Sequence, residues 1–293
     1  MKNGLFASVE AGGTKFVCAV GNADLEIVDK VEFPTTNPSK TIQITIDYFQ
    51  QFKGQVKSLS VGSFGPINML VDSPKYGYIT TTPKEGWADT NLIGPLKESL
   101  EIPIFFTTDV NSAAYGEMKL RKKVHSLVYF TVGTGIGGGV ILKGQEIGSI
   151  GHTELGHIFL SKHHKDVKFN GVCPFHNGCA EGLSSGPSIL ARYGLEGKQI
   201  SEEHEIWDIL AYYYAQLAMN ATLSYRPQVI VFGGGVFGQP HLIHRVRKQF
   251  ESLLNNYVET PPLKEYIVTP LAPNNTSATI GNFVIAKELC KKV

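Results

Sequence analysis

Glycine breaks this chain in three clusters, and each cluster falls where an apolar, strand-like run ends. They are Gly12-Gly13, then Gly133 and Gly135 with Gly137-Gly138-Gly139, then Gly233-Gly234-Gly235, drawn from 31 glycines in 293 residues. Glycine at such a point permits a tight turn, or it lets successive backbone N–H groups close around an anion such as a phosphate. One glycine turn decides nothing. Three at strand ends favour a phosphate-binding protein over a succession of turns. The two commonest nucleotide motifs are excluded by their context. Gly133, Gly135 and Gly138 match G-x-G-x-x-G, but Val140-Ile141-Leu142 continues a strand where that fingerprint opens a helix. The pair Gly197-Lys198 is followed by Gln199, not by the Ser or Thr of a P-loop.

Around the first cluster, residues 5–9, 16–20 and 26–33 read as strands. Their links are too short for helical crossovers, so they should be antiparallel. Asn37-Pro38 opens a helix with a buried stripe of Ile42, Ile46, Phe49 and Phe52. Strands at 59–64 and 104–107 follow, then a helix from about Ser112. From Leu127 the pattern returns: a strand over 127–132, a glycine break, and a strand resuming at Val140. Helices near 186–193, 203–224, 242–254 and 277–291 and a buried strand at 229–232 complete the chain. The echo implies two α/β lobes built alike, as does the length. The expected division is a smaller N-terminal lobe over 1–111, rejoined by a C-terminal helix over about 277–293. A larger lobe would span 112–276.

Charge removes several classes of function. The 27 basic and 26 acidic residues leave a net charge of +1. The pI is 7.7, far from the basic footprint of a nucleic-acid binder. No run approaches the roughly 18 apolar residues of a transmembrane helix. Met1-Lys2-Asn3-Gly4-Leu5 leads directly into a strand pattern without the features of a signal peptide. A cytoplasmic enzyme without nucleic-acid or membrane partners is the expectation.

Two groups carry chemistry. Asp109 lies at a strand end beside a helix start, in Thr107-Thr108-Asp109-Val110-Asn111. There a carboxylate serves as a helix cap or as a proton acceptor, and the residues alone leave both open. Cys173-Pro174-Phe175-His176-Asn177-Gly178-Cys179 is Cys-x₂-His-x₂-Cys, with His157 sixteen residues upstream. Two thiolates and two imidazoles make a tetrahedral structural zinc set, unsuited to Mg²⁺. Disulfides are not expected in a long chain with no export signal.

In order along the chain, Glu10-Ala11-Gly12-Gly13-Thr14-Lys15, Thr134-Gly135-Ile136-Gly137-Gly138 and Phe232-Gly233-Gly234-Gly235 resemble the two phosphate loops and the adenosine loop of the actin-like sugar kinases. Glu154-Leu155-Gly156-His157 and the 173–181 segment resemble the ROK family (repressors, open reading frames and kinases). Glu10 to Phe16 and Thr82-Pro83-Lys84-Glu85-Gly86-Trp87 look like its fructokinase branch. The resemblance implies an actin-like (ribonuclease H-like) ATPase fold, two α/β lobes with a cleft between them. It implies ATP-dependent transfer of the γ-phosphate to the 6-hydroxyl of fructose, with Mg²⁺, a structural zinc and a homodimer. A glucokinase, a mannokinase or a non-catalytic sugar sensor is the alternative. Gly12, Gly13, Thr14, Lys15, Thr134, Gly135, Gly137, Gly138, Gly233, Gly234 and Gly235 would hold ATP. Asp109 would be the general base, with Thr108, Glu154, His157 and Glu181 on the sugar. Three positions depart from the family pattern: Glu10 replaces Asp, Thr108 replaces Asn, and His176 replaces one of three cysteine ligands. Loss of Cys179 is expected to weaken sugar binding and to affect ATP binding less, because the glycine loops lie elsewhere in the chain.

Overall fold

A computed structural model describes residues 4–291; the outer residues of the expected opening segment and of the C-terminal lobe piece lie outside the described residues. The first three strands are β1 (Leu5–Ala11), β2 (Lys15–Gly21) and β3 (Ile27–Pro34), an antiparallel meander. Helix α1 (Pro38–Gln50) then starts as its sequence requires. Asn37 is extended and its side chain accepts from the Lys40 N–H at 2.9 Å, while Pro38 occupies a position that needs no N–H. Ile42, Ile46 and Phe49 face the core.

Strand β4 (Val56–Ser63) pairs parallel with β1. A small antiparallel sheet of β5 (Ile67–Asn68), β6 (Tyr78–Ile79) and β7 (Thr90–Asn91) follows, which the sequence reading did not find. Helix α2 (Ile93–Leu100), strand β8 (Ile104–Thr108) and helix α3 (Asp109–Leu120) complete this stretch, giving the sheet order β3-β2-β1-β4-β8. Trp87 is fully buried here. Its ring lies 5.6 Å from Phe16 and 5.5 Å from Phe64, and its Nε1–H donates to the Thr36 carbonyl at 2.7 Å.

The second sheet repeats the first. Strands β9 (Leu127–Val132), β10 (Ile136–Leu142) and β11 (Gln145–Glu146) form an antiparallel meander. Helices α4 (Ala180–Ser184), α5 (Gly186–Tyr193) and α6 (Ile206–Tyr225) lead to β12 (Val229–Gly233). Helix α7 (Leu242–Leu254), the short α8 (Leu263–Tyr266) and β13 (Ile267–Val268) follow. The order β11-β10-β9-β12-β13 again places three antiparallel strands beside parallel ones. The echo heard in the sequence is therefore a shared strand topology.

Helix α9 (Ser277–Leu289) returns to the first sheet. Its fully buried Asn282 donates to Ser8 Oγ and the Val9 carbonyl, and accepts from Ser60 Oγ and Ser112 Oγ. A buried amide is tolerated because it is satisfied on every side. The described residues divide into two units. One comprises those up to Lys122, Ile147–His152 and those from Ala272 onward; the other comprises Lys123–Glu146 and Thr153–Leu271. The division falls beyond α3, not at 111/112, because α3 packs along α9 and cannot be cut from it.

Candidate functional site

In the first unit, β1 ends at the turn 12–14, closed by the Gly12 N–H to the Lys15 carbonyl at 3.0 Å and by Thr35 Oγ1 to the Gly12 carbonyl at 2.6 Å. A side chain on Gly13 would meet nothing within 4 Å, so packing does not explain its glycine. Lys15, expected among the phosphate ligands, has its ammonium 2.6 Å from the Glu32 carboxylate on β3. Lys15 and Lys30 together pull that carboxyl down to about 2. The pair is well exposed, where ion pairs are weak.

The end of β8 takes the helix cap away from Asp109. Thr108 is the N-cap: it is extended, and its Oγ1 accepts from the Asn111 N–H at 3.1 Å. The helix accordingly begins at Asp109 and not near Ser112. Thr108 is only 4% exposed, so the hydroxyl expected on the sugar is engaged in the cap. Asp109 occupies the first helical position, partly exposed, where the partial positive charge of the helix N-terminus favours a carboxylate. Its Oδ1 accepts from the Val110 N–H at 2.9 Å.

Strand register sets Glu10 beside Gly62, and Gly62 beside Thr107. Burial, and next the charge of Asp109, push the Glu10 carboxyl up to about 7. Sequence reading noted Glu10 only as a departure from Asp, since nothing local reveals a desolvated carboxylate. The folded state holds this proton between pH 4.5 and about 7, where the unfolded chain has lost it. The contribution to stability is therefore greatest below pH 4.5 and falls as pH rises to 7. Glu10→Gln should raise stability above pH 7 by on the order of 2–3 kcal/mol and change it little at pH 4.5. Melting curves across that range check this; a gap that does not widen with pH contradicts it.

In the second unit, the β9–β10 hairpin turns through Gly133-Thr134-Gly135, with the Gly133 N–H donating to the Gly135 carbonyl at 2.9 Å. Gly137 and Gly138, read from sequence as loop, belong to β10 and pair with Thr131 and Phe130. A glycine strand persists where another segment approaches closely, and here Leu155 covers Gly138. At Gly135 a Cβ would lie 2.5 Å from Glu181 Oε2, and the next N–H, of Ile136, donates to that oxygen at 3.0 Å. Gly135→Ala should therefore displace either the carboxylate or the turn and lower Tm by a few degrees, measurable in a melting curve. Past β12, Gly234 has φ +86° and no room for a Cβ against the Val132 carbonyl. Its neighbour Gly235 faces open space.

The Cys/His loop is anchored by a buried network. Asp166 takes two bonds from Arg192 of α5, at 3.0 and 2.6 Å, and one from Tyr213 of α6 at 2.7 Å. Beyond it, His157 ends a 3-10 turn (Leu155–His157), and Cys179 immediately precedes α4. His157, Cys173, His176 and Cys179 each offer one donor atom, all within 4.8 Å of one another. His157 Nδ1 lies 3.7 Å from Cys173 Sγ and 3.5 Å from Cys179 Sγ; His176 Nδ1 lies 3.8 Å from Cys173 Sγ. Zinc–sulfur bonds of about 2.3 Å and zinc–nitrogen bonds of about 2.0–2.1 Å, at a tetrahedral angle, place S and N about 3.6 Å apart. The four donors fit. Both thiols are buried, Cys173 at 2% and Cys179 at 0% exposure, whereas His176 is exposed. His163 and His164 lie with their rings tilted against each other, centroids 4.3 Å apart, and supply none of these donors. Glu154 stands exposed just before the 3-10 turn, and Glu181 is half-buried in the first turn of α4.

A family model described as ROK family matches residues 6–289. A fructokinase of Streptococcus mutans serotype c is 53% identical over 98% of this chain and 99% of its own length. A fructokinase of Lactococcus lactis subsp. cremoris is 51% identical, covering 98% of each. The crystal structure of a ROK hexokinase from Thermus thermophilus shares the fold, with a TM-score of 0.78 at 21% identity over 99% of this chain and 100% of that one. With the family model spanning both sheets, the three glycine turns and the Cys/His loop, the chain belongs to the ROK family.

Proposed function

We propose that this chain is a fructokinase that transfers the γ-phosphate of ATP to the 6-hydroxyl of fructose. The observation that carries the chemistry is Asp109, a carboxylate at a helix N-terminus whose capping duty Thr108 has taken over. Asp109 accepts the proton of the sugar hydroxyl, the hydroxyl oxygen bonds to the γ-phosphorus, and the bond from phosphorus to the ADP oxygen breaks. The glycine turns at 12–14, 133–135 and 233–235 hold nucleotide through N–H groups other than those of Gly12 and Gly133, which close their own turns. Glu154 and Glu181 supply acceptors for sugar hydroxyls, since a carboxylate can accept from two at once, and His157, with Nδ1 turned to the metal, donates its Nε2–H to a sugar oxygen. The identity of the sugar rests on the relatives named fructokinase.

Two ions belong to the proposal. Mg²⁺ offsets the charge of the transferring phosphoryl group when bound. Zinc is assigned to His157, Cys173, His176 and Cys179, on the donor spacing above, as a structural ion that holds the loop. In its absence burial pushes the Cys179 thiol up to about 11, so loading releases a proton there. A homodimer is carried over from the resemblance and a cytoplasmic location from the sequence expectation; no helix among the described residues is long and apolar enough to cross a membrane. The test incubates purified protein with MgATP and, separately, fructose, glucose and mannose. Sugar-dependent ADP release with fructose preferred is the expected result. Release with none overturns the kinase reading, and preference for another hexose replaces fructose.

A further inference from the structure

Between the cysteine loop and α5 the chain touches the β9–β10 hairpin turn at both of its ends. At one end, Glu181 Oε2 accepts from the Ile136 N–H at 3.0 Å and lies against Gly135. At the other, the Gly186 N–H donates to the Gly133 carbonyl at 2.8 Å. The 3-10 turn that carries His157 adds a third contact, because Gly156 lies so close to the Ile136 carbonyl that a Cβ there would collide with it. Glu181 is two residues from Cys179. Its backbone is set by the first turn of α4, where the Ser185 N–H donates to the Glu181 carbonyl at 3.1 Å.

We infer that Glu181 is a positioning residue for the nucleotide: its carboxylate pins the Gly133–Gly135 turn to the Cys/His loop. Under this assignment the loop and the hairpin are one mechanical body. Only one carboxylate oxygen is used by the hairpin, which leaves the other for a sugar hydroxyl. The inference rests on the kinase reading, because that reading makes nucleotide phosphate the ligand of the hairpin. It differs from a sugar contact alone in one respect: the pin acts with no sugar present.

The experiment measures Mg²⁺–ADP binding calorimetrically in sugar-free full-length protein, with melting curves for each variant. Removing the acceptor in Glu181→Ala should weaken ADP about tenfold, the scale of one charge-assisted hydrogen bond. Glu181→Asp keeps the charge but withdraws it by one C–C bond, about 1.5 Å, and should weaken ADP similarly; it also decides the matter if the Ala variant does not fold. Glu181→Gln retains a carbonyl acceptor and should hold the ADP Kd within about threefold of wild type, while its sugar KM rises. An Ala or Asp variant that binds ADP as wild type does overturns the pin. So does a Gln variant as weak as Ala, since charge and not the hydrogen bond would then be at work. If wild type itself binds no ADP, the kinase reading falls and the inference with it.

Discussion

Asp109→Asn is expected to fold normally and to lose about 10²–10⁴ in kcat, the range of a general base. The substitution keeps the shape of the side chain and its carbonyl acceptor for the Val110 N–H. The helix should survive, because the cap belongs to Thr108. What disappears is the ability to take a proton. The same change removes a neighbouring negative charge from Glu10, so the Glu10 carboxyl should titrate lower than its present value of about 7. Steady-state kinetics with a melting curve decide it. Near-wild-type turnover from the folded variant would remove Asp109 from the mechanism.

Cys179→Ser is expected to have the largest effect on stability. Cys179 has no exposed surface and lies 3.5 Å from His157 Nδ1, so a hydroxyl in place of its thiol would be a poorer metal ligand in a fully buried place. Structural ions bind through donors that assemble only in the folded loop, and losing one donor loosens all. A loss of at least about 3 kcal/mol is expected, which in a unit of this size lowers Tm by roughly 6–12 °C. Elemental analysis should find one zinc per wild-type chain and little in the variant. A metal-free wild type with full activity would dismiss the site. The sequence expectation that ATP binding would suffer less than sugar binding is revised by the position of Glu181, which joins the loop to the hairpin turn; the variant should lose ADP affinity to a comparable degree.

Most secondary structure was legible because its signals are local. Asn37-Pro38 starts a helix from its own side chain and ring, and α7 runs over the residues its periodicity marks, Leu242–Leu254. The start of α3 was misplaced by a few residues because Thr108, Asp109 and Asn111 are all competent caps, and sequence does not rank them. The Cys-x₂-His-x₂-Cys spacing also named its own donors, since residues three apart in a tight turn converge.

The chain by itself determined where the backbone turns, which faces are apolar, and which residue types could hold phosphate, zinc or a proton. Only the tertiary structure decided which glycines are bare because a distant segment fills the place of a side chain. Gly135 is bare because Glu181, 45 residues beyond Ile136, occupies the place of its side chain, and Gly234 because the Val132 carbonyl does. Packing gives no such reason at Gly13 or Gly235, which face open space. Tertiary structure likewise paired Lys15 with Glu32 and raised the Glu10 carboxyl toward neutrality. The physical reason is common to all of these. Caps and periodicity depend on neighbours within a few residues, whereas close approach and desolvation depend on which distant segment folding brings alongside.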